Sequence, residues 1–195
     1  MIESVIRSTS GTFELGEPAS AGSLGVLRGI GAVFGEWAEV NNPTEGRFME
    51  SVAPGAFARA IAGGLARIKA VFSHGQDQQA GLKPLGPLIE LEERSDGLHY
   101  AVDMLDTSYN RDILPGLRAG LYGSSVRMRI HAADRNRYAT RSAANPRGLE
   151  ERVVRDATLI ELGPTLFPVY AGTSAGMRSR AGLWTPAARR RALIG

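Results

Sequence analysis

Three histidines, two adjacent serines and one acid set in an apolar run are the residues of this 195-residue chain whose types could do chemistry. His74, His99 and His131 lie 25 and 32 residues apart, so none has the short-spaced partner that a helical zinc site uses. The chain has no cysteine, which removes thiolate metal sites, cysteine nucleophiles and disulfides. Gly29, Gly31 and Gly35 fall in a strand-like run with no helix behind them, and no G-K-[ST] occurs, so a phosphate-cradling loop is unsupported. What remains is serine and a base: a neutral hydroxyl attacks a carbonyl when an adjacent imidazole takes its proton. We expect neither a metal nor a cofactor.

The serines stand in "LYGSSVRMRI", Leu121 to Ile130. Val126, Met128 and Ile130 alternate with Ser125, Arg127 and Arg129, the period of a strand with one apolar face, so Ser125 opens the polar face and Ser124 falls on the other. The plain alternative is a turn serine. His74 ends the alternating run "ARIKAVFSHG" and precedes Gly75, which allows close approach. It could also be a strand-end histidine bonded to a loop carbonyl. His99 lies in the second strand of a hairpin, where exposure is the simpler reading. By strict alternation His131 shares a face with Ser125, but six residues of strand put it roughly 20 Å away. An imidazole acting as base needs a group on its other nitrogen. Glu161, inside "TLIELG", is an acid whose unpaired burial would be costly, so it needs a partner. That partner is an imidazole, an arginine such as Arg155, or water.

The elements that must position these groups are short. Leu24 to Trp37 alternates like a strand broken by glycines. Ala53 to Gly64 has Pro54 for a first helical position, Phe57 and Ile61 on one face, and a Gly63-Gly64 stop. Two alternating runs flank Ser95-Asp96-Gly97, a hairpin signal. Thr107 to Gly120 opens with capping residues and ends in glycine, with Pro115 expected to kink or split the helix. His131 to Gly148 reads as a polar loop, and Leu149 to Gly172 gives a last extended stretch. Many short strands with two helices predict an α+β domain, mostly an antiparallel β-barrel with flanking helices.

The length and 43% hydrophobic residues suit one domain. We read residues 1–24, rich in Ser, Gly, Ala and Glu, as a mobile arm, 25–173 as the domain and 174–195 as an Arg-rich tail. The net charge of +3 owes its sign to five tail arginines, and without them the 20 acids leave the body at −2. Such a body lacks the basic face of a nucleic-acid binder. No apolar run reaches the length that spans a bilayer, and the first residues lack a secretory pattern, so a protein that is neither membrane-bound nor secreted is expected.

Together, "GIGAVFG" (Gly29–Gly35), "ESVAPGAF" (Glu50–Phe57), "VFSHGQD" (Val71–Asp77), "LGPLIELEERSDGLHYAVDML" (Leu85–Leu105), "GLYGSSVRM" (Gly120–Met128) and "LIELGPTLFPVYAGT" (Leu159–Thr173) resemble, in order, the HK97-type prohead maturation proteases of tailed bacteriophages. The resemblance implies a fold similar to the herpesvirus assembly protease. It also implies a serine endopeptidase with His74, Ser125 and Glu161 as its catalytic residues, His131 being a rival third member because herpesvirus relatives use a second histidine. Implied substrates are scaffold segments, the major capsid protein and the enzyme itself, cleaved inside immature heads in the host cytoplasm, with self-association possible. The competing expectation is a non-enzymatic scaffolding protein with a protease-like domain. Two positions depart from the family's pattern: Arg127 replaces a small residue, and Leu162-Gly163-Pro164 replaces the commoner Val-Ser after the acid.

Overall fold

The computed structural model describes residues 4–9 and 13–166, so the Arg-rich tail at 174–195 and the last part of the expected domain lie outside the described residues. Two sheets carry the fold. In the first, β1 (Val5–Thr9), β10 (Gly123–Asn136), β11 (Glu151–Thr165), β5 (Gly46–Val52) and β4 (Ala38–Asn42) lie side by side in that order, and β6 (Lys69–Val71) pairs with both β11 and β7 (Pro84–Gly86). In the second, the order is β2 (Glu14–Gly16), β3 (Ser23–Val33), β9 (Gly97–Leu105) and β8 (Leu88–Glu93). The expected hairpin at Ser95-Asp96-Gly97 is the β8–β9 connection, closed by mutual backbone bonds of Arg94 and Gly97.

The alternation of "SVRM" does what it predicts. Val126 and Met128 turn inward, join Leu159 and Leu162 of β11, and meet Leu27, Leu98 and Val102 of the second sheet, all between 0% and 3% exposed. Dry packing of this kind is worth about 1.5–3 kcal/mol for each large aliphatic chain, and it fixes which way the intervening polar residues must point.

The architecture is α+β-like and mostly β, but the expected barrel is not closed by backbone pairing: among the described residues both sheets are open paths. Nor is the pairing wholly antiparallel, since β11 runs parallel to β5 and to β6. The ends of the first sheet nevertheless meet through side chains. Arg7 of β1 bonds Glu45, at the β4–β5 turn, and Glu50 of β5. On a flat sheet β1 and β5 would be about 14 Å apart across three strand spacings, so the contact requires the sheet to curl.

Residues 1–24, read from sequence as a mobile arm, instead contain β1 and β2. β1 pairs antiparallel with β10, Ser8 opposite Ser125. Composition hid this, because Ser and Gly around "VIRST" masked its β-branched residues.

Both helices are shorter than the sequence pattern. α1 (Ala58–Ala62) starts late because Glu93 takes the backbone amides of Gly55 and Phe57 at 2.6 and 2.7 Å, and Gly55 adopts φ +87°. α2 (Ser108–Arg118) is capped by Thr107 and runs through Pro115 unsplit. Pro115 and Arg111, whose carbonyl the proline leaves without a helical donor, are both exposed, so water can satisfy that carbonyl.

Candidate active site

Strand phase puts Ser124 and Ser125 on opposite faces of β10. Ser124 points inward, 3.0 Å from the hydroxyl of buried Tyr100. Ser125, 1% exposed, points to the other face, where its row continues into Ser8 on one side and Gly163 on the other.

Glu161 reaches that face through a bulge. Arg127 pairs with Glu161 while Met128 pairs with Leu159, so Ile160 is an extra residue on β11. The bulge lets Leu159 and Leu162 both face the core, and leaves Glu161 between them on the side of Ser125 and Arg127.

His74 arrives from β6, which lies parallel to β11 with Lys69 opposite Glu161 and Ala70 opposite Leu162. The chain then reverses in a 3-10 turn, Ser73–Gly75, in which Ser73 (φ 45°), His74 (φ 54°) and Gly75 (φ 74°) are all left-handed. Left-handed backbone costs a non-glycine residue on the order of 1–2 kcal/mol. Two backbone bonds hold the turn, Gly75 to the Phe72 carbonyl at 2.9 Å and Gln76 to that of Ser73 at 3.0 Å, and buried Phe72 packs edge-on against Tyr122. Gly163 makes room: a Cβ there would lie 2.1 Å from the carbonyl oxygen of Val71. The departure at Leu162-Gly163 thus has a local cause, the close approach of the strand that carries His74.

The three side chains make one line of contacts. His74 Nε2 is 2.5 Å from Ser125 Oγ, and His74 Nδ1 is 2.8 Å from Glu161 Oε1. A carboxylate on Nδ1 fixes the tautomer with the proton there, which leaves Nε2 as the acceptor facing the serine. Arg127 Nε lies 3.2 Å from the same Glu161 oxygen. Burial pushes His74 below the ordinary imidazole value, with the hydrogen bond and charge of Glu161 pulling it up and the charge of Arg127 pushing it down. Such a group is neutral at pH 7 and able to take a proton.

The other candidates are elsewhere. His131 is the extra residue of a second irregularity, on β10; it is exposed and bonds Thr158 Oγ1 at 2.7 Å. His99 bonds Asp96 at 2.7 Å. Arg155, the alternative partner of Glu161, pairs with Asp134. Among the described residues no cluster of His, Cys, Asp or Glu could hold a metal ion, and no helix is long and apolar enough to cross a membrane.

Two groups went unread in the sequence. Ser8 Oγ donates to Ser125 Oγ at 2.8 Å, and the Arg7 carbonyl stands 3.0 Å from Ser125 Oγ as a second acceptor beside His74 Nε2. The β-branched run Val5-Ile6, ending at Thr9, was the available signal for a strand there. Beside the His74 turn a groove of about 490 Å³ opens between Ser73, Asp77, Tyr109, Tyr122 and Leu166.

No curated protein sequence matches the chain. Among solved structures it is similar to the capsid assembly protease gp21 of bacteriophage T4, with a TM-score of 0.49 and 13% identity over 85% of this chain and 98% of that one. The caudovirus prohead serine protease family matches residues 12–183, a span that holds His74, Ser125 and Glu161 and leaves Arg7 and Ser8 ahead of it. The chain therefore belongs to the caudovirus prohead serine proteases, and it is a serine peptidase.

Proposed function

We propose that the protein is a Ser-His-acid endopeptidase of prohead maturation in which Ser125 is the nucleophile, His74 the general base and then acid, and Glu161 the group that orients His74. The supporting observation is the unbroken contact from Ser125 Oγ through both ring nitrogens of His74 to Glu161. As Oγ bonds to the scissile carbonyl carbon, its proton moves to Nε2 and the carbonyl electron pair moves onto oxygen. Glu161 stabilises the imidazolium. Collapse breaks the C–N bond, and the amine leaves with the Nε2 proton. Water, deprotonated by the same nitrogen, then hydrolyses the acyl-enzyme.

The substrates in this reading are capsid or scaffold protein segments, and the enzyme's own chain, cleaved inside immature heads in the host cytoplasm. The groove beside the His74 turn is where such a segment would lie. We further infer that the curled sheet is an opened form of the barrel of the herpesvirus assembly protease; the Arg7 contacts to Glu45 and Glu50 support this by joining its ends.

A fluorophosphonate tests the chemistry. One phosphonyl adduct on Ser125, absent from Ser125→Ala and His74→Ala, is expected, together with processing of a co-expressed capsid protein by the unsubstituted chain alone. An unlabelled Ser125 in folded protein would refute the assignment.

A further inference from the structure

We propose that Ser8 is a fourth catalytic group, a fixed hydroxyl donor to the nucleophilic oxygen, delivered by the edge strand β1. The inference rests on Ser125 being the nucleophile. Ser125 has a single proton and two acceptors within reach, His74 Nε2 at 2.5 Å and the Arg7 carbonyl at 3.0 Å. In the 2.8 Å contact with Ser8 it therefore serves as the acceptor, and Ser8 donates. While the Ser125 proton passes to His74, and before the bond from Oγ to the carbonyl carbon is complete, Oγ carries partial negative charge at a site only 1% exposed. An oxygen gaining charge away from water needs a donor already aimed at it. Ser8, 6% exposed, is such a donor, and its bond strengthens as the charge appears.

Two features keep the hydroxyl in place. Ser8 is directly opposite Ser125 in the β1–β10 ladder, so the two side chains share a face at the closest cross-strand spacing. The neighbouring Arg7, 5% exposed, is tied to Glu45 by bonds of 2.8 and 3.0 Å and to Glu50 by one of 3.0 Å and a second, shorter one. Burial pushes Glu45 up, but the hydrogen bond and charge of Arg7 outweigh it and hold its carboxyl below the usual range. Removing Arg7 would leave Glu50, 3% exposed, as an unpaired buried charge, so β1 is anchored far more firmly than an ordinary edge strand.

The test compares two substitutions of equal shape in the full chain. Ser8→Thr keeps the hydroxyl and Ser8→Val lacks it, and both suit a strand. The measurement is the rate of fluorophosphonate labelling at Ser125, mapped by peptide mass, with Tm recorded for each variant. Ser8→Thr should label within about fivefold of the unsubstituted rate, and Ser8→Val roughly 10- to 100-fold slower than Ser8→Thr at a similar Tm, the effect of losing one hydrogen bond to an oxygen that gains charge. Should Ser8→Val not fold, Ser8→Ala takes its place with the same expectation. Equal rates with and without the hydroxyl would overturn the role of Ser8 alone. Absence of labelling at Ser125 in the unsubstituted chain would overturn the nucleophile assignment, and this inference with it.

Discussion

At one end of the β10–β11 ribbon, Arg127 faces Glu161 across the strands, with side chains 30% and 9% exposed; at the other end Arg155 faces Asp134, with side chains 54% and 68% exposed. Both are cross-strand arginine–carboxylate pairs on the same two strands. The outer pair is solvated, and such pairs contribute about 0–1 kcal/mol. The inner carboxylate is covered by the His74 turn and shares one oxygen between an arginine and an imidazole. Residue types alone do not separate the two ends. The difference comes from β6, which joins β11 only at Glu161 and Leu162 and brings the third segment over the inner end.

The largest effects should come from breaking the inner end. Ser125→Ala or His74→Ala should lower cleavage of a defined substrate by roughly ten-thousand-fold or more, and the double substitution should be little worse, since groups acting as one unit are not additive. Additive losses in single-turnover assays would break the link between them. Glu161→Gln should follow with a loss of about 10³- to 10⁴-fold, because an amide can hold the imidazole in the wrong tautomer and cannot stabilise its cation. His131→Ala, at the exposed bulge, should leave turnover within about twofold, as surface changes do. The reverse pattern would make His131 the third member.

Gly163→Ala tests the close approach of β6. With Val71 backbone in the way and φ at +151°, the added methyl should destabilise the fold by about 2–3 kcal/mol, lowering Tm by roughly 5–10 °C in a thermal scan. Arg127→Gln should act more gently and with a defined sign. In its proposed role as base His74 must be neutral, and Arg127 is one of the causes holding its proton affinity down. Removing that cation lets His74 keep its proton to higher pH, so the acid limb of kcat/KM should move upward; a downward shift would place the arginine's influence elsewhere. Ser124→Ala should be smallest. It leaves the buried Tyr100 hydroxyl without its partner, which costs stability about 1–3 kcal/mol in chemical denaturation, and should leave labelling of Ser125 near the unsubstituted rate.

Much of the inner end was legible because it is local. The six-residue alternation from Ser125 to Ile130 sets Ser125 and its neighbour Ser124 on opposite faces, and Glu161 between Ile160 and Leu162 had to find a partner. Gly163 was visible as a departure but not explicable, since the atom it admits belongs to Val71, 92 residues earlier. Pairing of β11 with β5 and β6 was equally hidden, because a parallel register between distant segments leaves no mark in either one. The barrel expectation came from counting strands, which cannot tell a sheet closed by backbone from one whose ends meet through Arg7. β1 was lost for a compositional reason: Ser8, a catalytic group in the proposal above, looks like any serine of a polar arm until its partner 117 residues away is known.

That separation has a consequence for timing. β1 is synthesised 117 residues before the strand that it pairs with, and at about 5–20 residues per second the gap is on the order of 6–25 s. Throughout that interval the proposed nucleophile Ser125, its base His74 and the edge strand cannot be assembled together, and Glu161 emerges later still. A loop this long also makes closure of the β1–β10 ladder a slow, late event in folding. With Ser125, His74 and Glu161 in the roles proposed above, a nascent chain is unable to cut its neighbours or itself, and proteolytic competence arrives only when nearly the whole described fold has been made.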